Sequence, residues 1–170
     1  MSSPLLLRRV GRLDLCLTGL NSRGTLMESI RIREYMNPRP AIFRPEETVY
    51  EAIHALLAAG MTGGPVVDAQ NRLVGFLSEH DCLLAGIEAT YTCQQLASVE
   101  QLMSKEVLSV APDDSIIELA QRMAGPTPKI YPVLDGDGKL LGTISRQEVL
   151  RAIEKTMRSC FGHKSAPHSR

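Results

Sequence analysis

The sequence predicts an α/β (α+β) fold in which two β-α-β-β-α repeats pack as one pseudo-two-fold symmetric module. Three observations predict it. A set of residues recurs at one fixed offset, the same order of helix and strand signals recurs with them, and a copy of about 55 residues buries too little core to stand alone.

The offset is 67 residues. It links Met36 to Met103, Pro45 to Pro112, Glu51 to Glu118, Pro65 to Pro132 and Asp68 to Asp135. It also links Leu73 to Leu140, Gly75 to Gly142, Ser78 to Ser145, Leu83 to Leu150 and Ala85 to Ala152, with no gap. Thr48/Ser115 and Asp81/Glu148 are similar pairs at the same spacing.

Each copy opens with a short helical turn ending at Met36 or Met103, then an extended piece, Ala41-Ile42-Phe43 or Val107-Leu108-Ser109-Val110. Pro45-Glu46-Glu47-Thr48 and Pro112-Asp113-Asp114-Ser115 follow. Thr48 and Ser115 suit helix N-caps, and Glu51 and Glu118 stand three residues on. That spacing is a capping box, in which the hydroxyl accepts an orphan N–H and the Glu reaches back to the cap. Helices are expected over 49–59 and 116–124. Strands are expected at Pro65-Val66-Val67-Asp68 and Pro132-Val133-Leu134-Asp135. Turn formers separate them from Leu73-Val74-Gly75-Phe76-Leu77 and Leu140-Leu141-Gly142-Thr143-Ile144. A last helix starts at Ser78 or Ser145. Residues 86–98 read as a connector, without a Gly/Ser/Pro tract.

The organisation expected is a disordered extension over 1–28, repeat one over 29–91, repeat two over 92–157 and a disordered tail over 158–170. Residues 1–26 contain leucines interrupted by arginines, with Asp14 the only acid. They suit an unstructured extension or a transit peptide better than a signal peptide, because the apolar run is short.

Composition excludes several classes. The net charge is zero and Trp is absent, which disfavours nucleic acid as a partner. No segment approaches the roughly 18–20 apolar residues of a membrane helix. Cys16, Cys82, Cys93 and Cys160 form no CxxC pair and read as reduced thiols of a cytoplasmic protein. His54, His80, His163 and His168 lack metal-ligand spacing with them, and Cys160-x-x-His163 is a weak zinc pattern, so no metal site is expected. No nucleophile–base pair or phosphate loop is present, so no catalytic residue is assigned and no enzyme is expected.

Pro65-Val66-Val67-Asp68 followed by Leu73-Val74-Gly75-Phe76-Leu77-Ser78-x-x-Asp81 resembles the CBS domain. So does Tyr131-Pro132-Val133-Leu134-Asp135 followed by Leu140-Leu141-Gly142-Thr143-Ile144-Ser145-x-x-Glu148. Together they are similar to a stand-alone CBS pair, or Bateman module, over about residues 30–155. The resemblance implies a regulatory module that binds AMP, ADP, ATP, NAD or S-adenosylmethionine, and no resident cofactor. It also implies two clefts, a homodimer formed through the helices, and a regulated protein partner.

Under that resemblance Asp81 accepts hydrogen bonds from the ribose hydroxyls, which suits a carboxylate with two acceptor oxygens. Ser78 lies near the phosphate at a helix start. Lys129 and Ile130 reach the same cleft from the other copy, and Phe76 and Leu108 are adenine neighbours. A second, weaker cleft takes Thr62, Gly63, Ser145 and Glu148, because Glu148 is one methylene longer than Asp. Each residue also has a plain structural role. Ser-x-x-Asp caps a helix without any ligand, Lys129 suits a solvated surface, and Phe76 and Leu108 suit the core. The alternative function is a dimerising scaffold that binds no nucleotide.

Overall fold

The computed structural model describes residues 30–92 and 96–161. The extension expected over 1–28 lies outside them.

The order is a 3-10 turn at Ile32–Glu34, α1 (Val49–Ala59), β1 (Gly63–Val67), β2 (Leu73–Ser78) and α2 (Glu79–Thr92). Copy two follows with α3 (Val99–Leu102), α4 (Ile116–Met123), β3 (Ile130–Leu134), β4 (Leu140–Ser145) and α5 (Arg146–Phe161). β1 pairs antiparallel with β2 and β3 with β4, each in its own two-stranded sheet. No helix among the described residues is long and apolar enough to cross a membrane.

The hairpins turn alike. Asp68 Oδ1 accepts the N–H groups of Gln70 and Arg72 at 2.9 and 2.8 Å, and Asp135 Oδ1 those of Asp137 and Lys139 at the same distances. The left-handed turn position is Asn71 in one copy (φ 63°) and Gly138 in the other (φ 78°), residue types that tolerate it. The two turns then meet. Leu73 N–H donates to Gly138 O at 3.3 Å and Leu140 N–H to Asn71 O at 3.0 Å.

The expected first strand of each copy is reduced to one residue. Phe43 bridges in parallel to Val66, with Phe43 N–H donating to Pro65 O and Val67 N–H to Phe43 O, both at 3.0 Å. Val110 does the same beside Val133. Pro45 and Pro112, two residues on, have no N–H to continue a ladder.

The opening turns are exchanged between copies. Ile32 is fully buried with Val110, Leu119, Tyr131 and Ile144 of copy two, whereas Val99 is fully buried with Phe43, Leu56, Val66 and Leu77 of copy one. Main-chain bonds fix both arms. Ile32 N–H donates to Asp114 O at 3.1 Å and Val49 N–H to Ala97 O at 2.9 Å. Further along the arms, Asn37 and Thr143 exchange bonds of 2.8 and 3.0 Å, and Ser104 and Phe76 exchange a pair of 2.9 Å. A core therefore draws on residues from both chain segments, and burying each such side chain contributes about 1.5–3 kcal/mol.

Two helices differ from expectation. α2 runs on through 86–92, so much of the supposed connector is helical. α5 runs on to Phe161, so the expected tail begins as helix, with Arg158 Nε 2.7 Å from Glu154 Oε1 along it. An i,i+4 ion pair prolongs a helix end that polarity alone reads as coil. Residues beyond 161 lie outside those described.

The arms lie so close that a side chain is excluded at Gly142, where a Cβ would stand 2.4 Å from Asn37 O. Gly142→Ala should cost about 1–3 kcal/mol, as overpacking does. Gly136→Ala, in open space, should cost far less; equal urea midpoints for the two variants would refute the close approach. The α1 cap gives a pH signature. The main-chain N–H and then the hydroxyl of Thr48 hold the Glu51 carboxyl below its usual 4.5. A depressed carboxyl stabilises above its unfolded pKa and stops doing so as pH falls through its folded one. Denaturation curves of wild type and Glu51→Gln should therefore differ above pH 4.5 and converge below it.

Candidate functional site

Two helix starts carry the residues singled out by sequence. β2 ends at Ser78 and α2 begins at Glu79, so the strand delivers Ser78 as the cap of the helix. Asp81 Oδ2 accepts from Ser78 N–H at 3.0 Å and from the Ser78 hydroxyl, and Asp81 N–H donates back to Ser78 Oγ at 3.3 Å. This is a capping box built with Asp. Among the described residues Asp81 Oδ1 takes no hydrogen bond, and the side chain is half-buried. One oxygen holds the helix and the other remains an acceptor.

The copy-two start is more tightly closed. Glu148 Oε2 accepts from Ser145 N–H at 2.8 Å and from its hydroxyl, while Oε1 lies 3.6 Å from Arg151 Nη1. Both carboxylate oxygens are engaged. The extra methylene lets Glu148 face Arg151 one turn on.

The hairpins set the main chain of Thr62, Gly63, Lys129 and Ile130. Gly63 pairs with Ser78, and Thr62 O accepts Glu79 N–H at 2.9 Å. Ile130 pairs with Ser145, and Lys129 O accepts Arg146 N–H at 3.0 Å. The main chain thus puts Thr62 and Gly63 beside Asp81, and Lys129 and Ile130 beside Glu148. An antiparallel hairpin joins the start of its first strand to the end of its second, so each pair meets its own copy's helix. The exposed Lys129 side chain leaves from the copy-two helix start.

Phe76 is half-buried, and its ring lies where a Cβ on Gly63 would stand 2.8 Å from Cε1. Its main chain pairs with Ser104, four residues before Leu108, which is exposed rather than part of the core. The copy-two counterpart of Phe76 is Thr143, which is buried.

Sequence reasoning missed Arg146. Its Nη2 donates to Thr127 O at 3.1 Å, and its Nε is buried without a partner. The signal was available, because the residue 67 positions earlier is Glu79. A charge reversal at the first helical residue makes the copy-one start acidic and the copy-two start basic. In both starts the first N–H is already spent on a carbonyl, Thr62 O or Lys129 O. Burial first, then the Asp81 charge, push the Cys82 thiol up, which disfavours its thiolate.

Comparison with known proteins agrees with this architecture. The family model described as CBS domain matches twice, at residues 32–88 and 99–155. An uncharacterised Bacillus subtilis protein, YtoI, is 32% identical over 120 residues, which is 71% of this chain and 24% of YtoI. The chloroplastic CBS domain-containing protein CBSX1 of Arabidopsis thaliana is 31% identical over 143 residues, 69% of this chain and 61% of CBSX1. The chain thus spans about a quarter to three fifths of these relatives' lengths. The crystal structure of CBSX2 of Arabidopsis thaliana in complex with AMP superposes with a TM-score of 0.67 at 28% identity, covering 75% of this chain and 98% of that one. Two matched repeats, exchanged arms and paired Ser-x-x-acid helix starts lead to one conclusion: the chain belongs to the CBS domain family, as a tandem pair.

Proposed function

We propose that this chain is a cytoplasmic regulatory module that senses an adenine nucleotide or related adenosyl ligand in the cleft at the start of α2. The observation that carries the reading is the divided carboxylate of Asp81. Oδ2 and Ser78 already form the cap, so Oδ1 is a fixed acceptor that costs no further ordering when a ribose diol arrives. Phe76 and Leu108, on the wall formed with the crossing segment, supply apolar surface for a base. The complex of the similar CBSX2 with AMP supports the ligand class.

Charge narrows the ligand. Glu79 and Asp81 crowd the copy-one start with acid, whereas Lys129 and Arg146 gather at the copy-two start. The Asp81 cleft therefore suits the adenosine part and few phosphates, with AMP or S-adenosylmethionine preferred over ATP. Lys129 and Ile130 serve it only by reaching across the pseudo-two-fold axis. The copy-two cleft of Ser145 and Glu148 is the weaker one, since both Glu148 oxygens are engaged and no aromatic ring replaces Phe76. The chain itself catalyses nothing in this reading; it biases a regulated protein through different ligand affinity in two states.

A scaffold that binds no nucleotide is the second reading, favoured by the fact that the Ser78–Asp81 box caps α2 unaided. Calorimetry and thermal shift with AMP, ADP, ATP, NAD and S-adenosylmethionine separate the two. At 100 times its Kd a true ligand adds about 2.7 kcal/mol of stability. Asp81→Asn keeps an acceptor for the cap but turns the other oxygen into a donor. It should weaken binding roughly 10- to 100-fold, the worth of a charge-assisted hydrogen bond, with little change in melting temperature. No shift with any ligand puts the scaffold reading ahead; undiminished binding by Asp81→Asn refutes the assignment of the site.

A further inference from the structure

Between α1 and α2 lies a groove of about 370 Å³. Of its lining residues Leu56 and Cys82 are buried, whereas Leu57, Leu83 and Ile87 stand 78, 62 and 49% exposed. Apolar side chains of both helices therefore line a space open to solvent, and Glu79 is its one charged lining residue. α1 and α2 together carry Glu51, Glu79, Asp81 and Glu88 and neither lysine nor arginine. Copy two also has apolar helical surface, with Leu150 and Met157 exposed. It differs in sign, because α4 and α5 carry Arg122, Arg146, Arg151, Lys155 and Arg158 against Glu118, Glu148 and Glu154. A piece that matches copy one stands in the sequence before Ile30. Leu6, Val10, Leu13 and Leu17 recur at i, i+4, i+7 and i+11, the spacing of one helical stripe. At about 3.6 residues per turn, Arg8 and Arg12 fall behind that stripe and Arg9 on its edge. Asp14 is the only acid of residues 1–26, against Arg8, Arg9, Arg12 and Arg23.

We propose that residues 5–17 of this chain seat in the copy-one groove as an amphipathic helix, its Leu6–Val10–Leu13–Leu17 stripe on the apolar walls and its arginines toward the acidic surround. An apolar row with a basic back is the complement of an apolar groove on helices that carry only acids. The copy-two helices offer the arginines like charge instead. An isolated helix of this length is marginal in water, and Gly11 weakens it further. The helix therefore forms on the groove rather than before it. Reach permits the docking. Ile30 is pinned to the start of α4, its carbonyl accepting Ile116 N–H at 3.0 Å. Residues 18–29 span about 40 Å when extended, while a module of about 130 residues is roughly 35 Å across. Tethering favours this occupant over a second copy. A segment on a short linker meets its groove at an effective concentration of about millimolar order, which a separate chain matches only when concentrated. Seating the segment also takes Leu57, Leu83 and Ile87 out of water.

The experiment uses the full chain at low concentration and without nucleotide, so its outcome does not depend on the Asp81 cleft. A photo-crosslinking residue at Leu83 should join peptides of residues 1–26. In a mixture of 15N-labelled and unlabelled protein, the joined peptides should carry one isotope, because the contact is within a chain. The same residue placed at Leu150 should not capture the segment. Leu6→Glu with Leu13→Glu should abolish the crosslink and raise amide exchange over 49–59 and 79–92 by about tenfold or more. Arg8→Glu with Arg9→Glu should weaken the crosslink at low salt, where exposed charges are least screened. Leu57→Arg, on the groove side of the contact, should also expel the segment, and it decides the matter if the N-terminal variants fail to fold. Absence of crosslinks to 1–26, mixed-isotope crosslinks from a second copy seated in the groove, equal capture from Leu150, or exchange unchanged by Leu6→Glu with Leu13→Glu would each overturn the proposal.

Discussion

The arms that precede each helix pair, 30–37 and 97–104, cross to the other copy and are pinned there by reciprocal main-chain bonds at Asn37–Thr143 and Ser104–Phe76. The crossing is possible because β2 and β4 carry a glycine beside each bond pair. At Gly75 a Cβ would stand 2.4 Å from Met103 Sδ, and at Gly142 it would meet the Asn37 carbonyl. Closing the arms onto the strands buries Ile32 in one core and Val99 in the other. The copies are thereby interlocked. Neither core is complete without a residue from the other segment, so the two repeats form one cooperative unit rather than two small marginal domains.

The same crossing shapes the site. The arm paired with Phe76 continues through Leu108 into Val110, which is part of the copy-two core. A ligand lying against Phe76 would thus touch a segment whose ends are fixed in both copies. Asp81 is held by its own cap at the start of α2. A pocket assembled from a capped helix start and a strung segment has few side chains to order on binding, which is where affinity is usually lost.

Asp81 stands in the first turn of α2, a helix of 14 residues. A ligand held there acts only if it favours one packing of α2 over another. Copy two has the matching helix start, but both Glu148 oxygens are engaged there.

Much of this was legible in the chain. The 67-residue offset located both hairpins and the helices, because turns and strand alternation are local effects written in adjacent residues; the capping box expected at Ser115–Glu118 does not form, Ser115 making no side-chain cap bond while Ile116 N–H donates to Ile30 O of the crossing arm. Thr48–Glu51 and Ser78–Asp81 are bonded as their spacing implied. What spacing cannot carry is which partner a segment meets across space. The exchange of Ile32 and Val99 and the shrinking of the first strands to single bridges are set by tertiary closure. The family matches by themselves are equally silent on Arg146, whose importance lies in the carbonyl of Thr127 and the buried Nε. Sequence determined that this protein is a duplicated CBS pair with unlike acids at its two helix starts. Tertiary structure decided which core each arm enters, because Ile32 and Val99 meet their buried partners only when the arms close onto the other copy.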